Sequence, residues 1–360
     1  MVNLETEMQV SANGLWHDLR TQYKEAMEEV QILAVKKEFE LVIDETQQLL
    51  KQNDEWVDRY ATYAEKIINN LDFIKKTRQS FREWSPLKVY INTTSALNAK
   101  KTVNFELRYL GQTVASLSGK EDGRHTLSTK GCEKTNWRDF DCDIILSAAD
   151  WDGKEAAIFR NFFKTRDSIR NKTIDNSGNE EHRLESLLLT EFSKTKGKLI
   201  KNIKPMMIGS LRFPMPTPIS ASNHKVIKYS GIRGGGIDIL TRTGTGGRAT
   251  NLCIMELKDE NVKSEPPKDA MKQAVAYATF IRELLRSKSG EAWWKLFGFG
   301  GKVPTPLVLF AACVMPSSGA NDYSFKNVAL DINGDIIKLH YLYFAETNNQ
   351  ITSVDTSLIY

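Results

Sequence analysis

Residues 234–258 read GGGIDILTRTGTGGRATNLCIMELK, and the fold turns on this stretch. Three glycines, Gly234-Gly235-Gly236, lead into Ile237-Asp238-Ile239-Leu240. The Gly/Thr-rich segment Thr243-Gly244-Thr245-Gly246-Gly247 follows, then a second apolar run, Leu252-Cys253-Ile254-Met255-Glu256-Leu257-Lys258. Short apolar runs bounded by turn residues predict two strands of a hairpin. Side chains alternate along a strand, so Glu256 and Lys258 share one face while Cys253, Met255 and Leu257 point to the other. Asp238 interrupts its own strand, with Ile237 and Ile239 facing one side and its carboxyl the other. Pairing of the two strands gathers two carboxyls and an ammonium on one face, a costly burial unless a purpose or a metal compensates.

The residue types suit a hard divalent cation. Mg²⁺ takes oxygen ligands in an octahedron and keeps several waters. Asp238 and Glu256 supply two carboxylates, and the backbone carbonyl of Leu257 beside Glu256 supplies a third oxygen. Water activated by such a cation is a nucleophile, which Lys258 would orient, or it would stabilise charge developing on a scissile phosphate. The turn at 243–247 lacks the Gly-Lys-Ser/Thr ending of a nucleotide-binding loop and reads as a flexible hairpin turn. His125, His182 and His224 form no Ser/His/Asp or metal pattern.

The pairing of Gly236-Ile237-Asp238 with Glu256-Leu257-Lys258, with 17 residues between Asp238 and Glu256, resembles the PD-(D/E)-x-K nuclease superfamily, with Ile237 in place of the motif's proline. Gln273-Ala-Val-Ala-Tyr277, on a helix expected over Ala270–Leu285, resembles the Q-x-x-x-Y motif of the RecB-like branch. Its spacing stacks Gln273 and Tyr277 on one helical face. The resemblance covers roughly residues 180–315. It implies a restriction-endonuclease-like α/β core, a mixed sheet flanked by helices, and a nuclease that uses Mg²⁺ or Mn²⁺ on DNA. It also implies an acidic residue on the helix before the core sheet. Glu185, beside the Leu184/Leu187/Leu188 stripe, is the choice, with Glu181 one turn earlier in reserve. In that branch Gln273 and Tyr277 line the site and help hold substrate.

Outward from this core, residues 14–84 hold one glycine and no proline, and apolar residues recur three or four apart (Leu19, Tyr23, Met27, Val30; Trp56, Tyr60; Ile67, Leu71, Ile74). That period predicts two long helices, broken near Gln52-Asn53-Asp54, as a hairpin or coiled-coil-like arm over 1–84. From Leu87 the period becomes two, predicting a small antiparallel β domain over 85–150 with a turn at Leu110-Gly111-Gln112. The remainder, 151–360, is the expected nuclease domain. It opens with helices over Glu155–Arg170 and about Glu181 to Lys194, separated by a loop at Asn176–Asn179. Leu307–Val314 reads as a buried strand, and Asn333-Gly334 as a hairpin turn between Ala329–Ile332 and Asp335–Phe344. Trp293-Trp294 is read either as a base-stacking pair or as core. Lys194, Lys196, Lys198, Lys201 and Lys204 are read either as phosphate contacts or as a solvated loop.

Composition bounds the rest. With 41% hydrophobic and 26% charged residues over 360 positions, the chain has the balance of a globular protein of two or three domains rather than a disordered one. Residues 1–80 carry 10 Lys/Arg against 15 Asp/Glu, and the rest 39 against 30. The basic excess therefore lies with the part assigned to chemistry, which is compatible with a polyanionic substrate such as DNA, although basic surfaces are common. The start MVNLETEMQV is no export signal, and no run approaches the ~20 apolar residues of a membrane helix. Cys132, Cys142, Cys253 and Cys313 lack zinc-site spacing and suggest no disulfide framework. A cytoplasmic protein without membrane attachment is expected, assembling as a homo-oligomer or with a protein partner through residues 1–84. The alternative is an inactive nuclease fold that binds DNA or acts as a scaffold through its helical arm.

Overall fold

The computed structural model describes residues 27, 29–30, 32–80, 84–91, 102–120, 122–132, 139–170, 180–221, 226–244 and 250–358. Three of the sequence expectations, the first part of the helical arm, the loop at 176–179 and most of the Gly/Thr-rich turn, lie outside the described residues, as does His224. The architecture is mixed α/β. Helix α1 (residues 32–52) is followed by α2 (Glu55–Asn69) and α3 (Leu71–Ser80). Three segments thus stand where two long helices were expected. The break at 53–54 falls where the sequence placed it, and Asn70, whose N–H closes onto Ile67 and Ile68 carbonyls, adds a second.

The apolar stripe of these helices closes against α6 (Pro267–Arg286) and α7 (Gly290–Leu296). Trp56 meets Phe280 edge-on at 5.6 Å between ring centroids, and Tyr60 meets Phe280 at 5.1 Å. The Trp293 indole N–H donates to the Tyr60 carbonyl at 3.1 Å. Trp293 is fully buried and Trp294 stacks on Phe299, so the tryptophan pair belongs to the core. Truncating a ring such as Trp56 would cost about 3–5 kcal/mol.

The first sheet is built from β1 (Lys88–Ile91), β2 (Thr102–Tyr109), β3 (Gln112–Lys120), β4 (His125–Ser128) and β5 (Ala149–Asp150). Leu110 and Gly111, both at positive φ, make the tight turn between β2 and β3. The sheet does not stop at residue 150. After α4 (Lys154–Arg170) and α5 (Glu180–Ser193), the chain makes β6 (Ile203–Pro205), β7 (Met207–Ile208) and β8 (Leu211–Arg212), and β8 joins the edge at β1, Tyr90 opposite Arg212.

Short strands β9 (Met215–Pro216), β10 (Ile219–Ser220), β11 (Lys228–Tyr229) and β12 (Gly236–Ile237) then lead to the second sheet. Its members are β13 (Ile239–Thr243), β14 (Asn251–Leu257), β15 (Val308–Pro316), β16 (Ala329–Ile332), β17 (Asp335–Thr347) and β18 (Gln350–Thr356), in the order β16-β17-β15-β14-β13-β6 with β18 also on β17. β14, β15 and β17 run parallel. Helix α6 crosses between β14 and β15 and buries Ala274, Ala278 and Ile281 on one face of the sheet, with Leu252 and Ile254. Helix α5 covers the other face, where Leu184, Leu188 and Phe192 meet Cys253, Met255 and Leu257. Cover on both faces is why β14 and β15 read as near-continuous apolar runs. Among the described residues no helix is long and apolar enough to cross a membrane.

Candidate functional site

The site forms where a strand changes partners. Ile237 pairs with Met215 on β9, whereas Ile239 pairs with Met255 on β14. Asp238 sits between, so the expectation of one regular strand with Ile237 and Ile239 on the same side is corrected. Ile237 packs in the α6 core and Ile239 in the α5 core. The hairpin register, Ile239 to Met255 and Leu240 to Ile254, continued by one step sets Asp238 across from Glu256. Asp238 Oδ2 accepts the Leu257 N–H at 3.0 Å. Glu256 is 2% exposed, and its Oε1 has no hydrogen-bond partner, a costly state for a buried carboxyl.

Electrostatics follow from that crowding. Burial, then the charge of Glu181, pushes Asp238 up to about 7 against the lowering effect of the Leu257 N–H. Burial, then the neighbouring Asp238, pushes Glu256 well above the carboxylate range. Each charge raises the other, so the two groups titrate as a pair. Burial alone would pull Lys258 down, but Glu181, Glu256 and Asp238 reverse this and hold its ammonium above its ordinary value. Lys258 Nζ donates to Glu181 Oε1 at 2.9 Å. Of the two helix glutamates, Glu181 therefore touches the lysine. Glu185, buried one turn later, lies 3.6 Å from His182 Nδ1, and that contact raises the His182 pKa against burial.

The α6 residues close the other side. Gln273 and Tyr277 are both buried. The Tyr277 hydroxyl accepts the Ala221 N–H at 3.3 Å, and burial and the Glu256 charge raise its pKa. A Cβ on Gly235 would lie 2.5 Å from the Tyr277 hydroxyl, and one on Gly234 would lie 1.8 Å from the Thr217 carbonyl oxygen. The glycine run ahead of Asp238 is thus needed for close approach rather than for a turn.

Sequence reasoning misses two contributions, His182 and the first sheet, and places a third, Glu181, behind Glu185. The sequence reads His182 as scattered, because its partner Glu185 is visible only once the helix is drawn. Glu181 stood in reserve, although its place in the first turn of α5 could have put it near a strand end. The first sheet also reaches this region: Tyr90 lies under the Arg108 guanidinium at 4.2 Å, and Arg212 donates to the Tyr90 hydroxyl at 3.0 Å. Glu185 raises the pKa of Tyr90, after burial, and, with Glu106 ahead of it, raises that of Arg108 against the lowering effect of burial.

The donor set fits a hard cation in part. Asp238 and Glu256 present oxygen only, and one buried oxygen lacks a partner. No group of three or more His, Cys, Asp or Glu side chains converges as a ready cage among the described residues. A cation here would complete its shell with water and the backbone, as Mg²⁺ does. Compared with protein-family models, curated proteins and solved structures, the chain shows no match.

Proposed function

We propose that this chain is a metal-dependent deoxyribonuclease of the PD-(D/E)-x-K type with a restriction-endonuclease-like core, working in the cytoplasm in restriction, anti-phage defence or repair. One observation carries the reading: two carboxyls, Asp238 and Glu256, opposed across a hairpin with a buried, unpartnered oxygen, beside an ammonium held charged. Such a cluster favours cation binding over the empty state, because a cation relieves the repulsion that otherwise binds a proton. The α5/sheet/α6 layering and the four unpaired cysteines agree with this core and with a reducing compartment.

Asp238, Glu256 and the Leu257 carbonyl would hold the cation, Mg²⁺ or Mn²⁺, with Glu185 and Glu181 supplying negative charge behind them. The bound cation supplies activation of water and screening of phosphate charge. Lys258, fixed by Glu181, holds its protons toward the charge that develops on the phosphate. The Leu257 N–H fixes the Asp238 carboxylate in one orientation. Tyr277 and Gln273 form the wall against which substrate is positioned, and Gly235 gives the backbone room there. The test is cleavage of plasmid, linear and single-stranded DNA by purified protein with Mg²⁺ or Mn²⁺, against an EDTA control. Cleavage abolished by EDTA and by both Asp238→Ala and Lys258→Ala supports the reading. Cleavage that survives either substitution defeats the assignment of the site.

A further inference from the structure

Residues 192–255 contain 11 Lys/Arg and a single carboxylate, Asp238. Part of that excess collects in a groove of about 890 Å³ between the end of α5 and the start of β6, lined by Lys194, Lys198, Lys201, Lys204 and Arg242. None of the lining residues is Asp or Glu. Lys204 and Arg242 are direct cross-strand partners in the β6–β13 pairing, an arrangement that like charges disfavour. Some of the cations serve the fold. Lys194 pairs with Glu191, Lys198 donates to the Phe192 and Ile203 carbonyls at 2.7 and 3.1 Å, and Arg242 donates to the Gly298 carbonyl at 2.9 Å. Burial and then Lys204 hold Lys198 below the ordinary ammonium range. Lys201 and Lys204 are exposed, and among the described residues neither ammonium takes part in an ion pair or hydrogen bond that holds the fold.

We propose that this groove binds the phosphodiester backbone of DNA, a positioning surface separate from the acidic pair. The inference rests on the nuclease reading for the identity of the polyanion. Opposed like charges weaken the sheet unless an anion offsets them, and lysines spread over an open groove suit successive phosphates better than one small anion. Arg242 lies in β13, four residues on from Asp238, a span of ~13 Å at the rise of an extended chain. The groove therefore takes phosphates roughly four base steps from the scissile bond.

The test is fluorescence anisotropy of the full chain in EDTA, with a labelled 20-base-pair duplex and a single strand of the same length, over a range of salt. Lys201→Gln/Lys204→Gln should weaken binding about tenfold at low salt and reduce the slope of log affinity against log salt by about 2. The pair Lys120→Gln/Lys130→Gln, which removes the same charge at the end of β3 and in the turn after β4, should leave both unchanged. Melting of the groove variant at or above the wild-type temperature shows it folds, and the single exposed Lys201→Glu gives a second reading. Equal binding by wild type and groove variant overturns the groove while metal-dependent cleavage by wild type leaves the nuclease standing. Equal losses in both lysine pairs, or no DNA binding by wild type, also overturn it. In the last case the cleavage assay decides the nuclease reading separately.

Discussion

The two ends of strand β13 carry opposite problems. At its start the pairing with β14 sets Asp238 across from Glu256, and at its far end the pairing with β6 sets Arg242 across from Lys204. The same device, antiparallel register, crowds acids at one end and bases at the other. Their surroundings differ. The acidic end is enclosed, so repulsion there is strong and is relieved by taking up a proton or a cation. The basic end borders an open groove where water and salt weaken repulsion. Chemistry is thus expected where charges are enclosed and positioning where they are solvated, and the sizes of mutational effects should follow the same order.

The largest effect is expected at the acidic end. Asp238→Asn keeps the shape and removes the charge, and should lower Mg²⁺-supported cleavage about a thousandfold or more. Plasmid-nicking rates at saturating metal measure it. A variant that retains rates within tenfold of wild type would erase the contrast between the two ends, because neither would then do chemistry.

Next comes the choice between the two helix glutamates. Glu181→Gln removes the partner of Lys258 and should slow cleavage roughly ten- to a hundredfold. Glu185→Gln should act less on rate and more on His182, whose pKa it should lower, because that contact is the first cause of the raised value. Proton NMR titration of His182 in both variants distinguishes them. A fall in His182 with Glu181→Gln and not with Glu185→Gln would reverse the assignments.

Stability of the metal-free protein sharpens the contrast further. The folded Asp238 pKa of about 7 exceeds the ordinary 3.8, so the folded state holds the proton more tightly. The associated stability is fully present below about pH 4 and is lost as pH rises through about 7. Asp238 is half-buried as a residue although its carboxyl is enclosed, so the loss should be about 2 kcal/mol rather than the full value of the shift. Urea unfolding between pH 5 and 8 should show the decline in wild type and a smaller one in Asp238→Asn, which keeps the buried Glu256, and Mg²⁺ at pH 8 should restore the wild-type loss. A wild-type curve that rises over this range would refute the buried acidic pair.

Much of the core was legible because it obeys local rules. The hairpin strands, the α6 helix and the Asn333-Gly334 turn follow from alternation, helical period and turn chemistry. What escaped depends on contacts distant in sequence. The switch of partners at Asp238 needs β9, whose two residues look like loop. The joining of β8 to β1 links residues 122 apart, Tyr90 and Arg212. Strand β18 lacks a strong apolar alternation, since Ile351 alone of its side chains is deeply buried beside Thr356. The preference of Lys258 for Glu181 over Glu185 depends on where α5 begins relative to the end of β14. No periodicity within either element encodes that offset.

The smallest effect belongs to the basic end, and it tests whether the like-charge pair is a real strain. Lys204→Gln removes one of two opposed cations without touching a hydrogen bond that defines the fold. It should stabilise the DNA-free protein by about 0.2–1 kcal/mol at low salt. In 1 M salt, where screening acts within ~3 Å, the gain should vanish. Arg242→Gln cannot be read alone, because it also loses the bond to the Gly298 carbonyl. In the Arg242→Gln background, however, Lys204→Gln should give no gain, and the difference between the two backgrounds is the coupling itself. Measured by thermal unfolding at both salt concentrations, a coupling of zero at low salt would mean that the side chains splay apart. The groove would then hold its lysines without strain, and only the DNA-binding measurement would argue for their purpose.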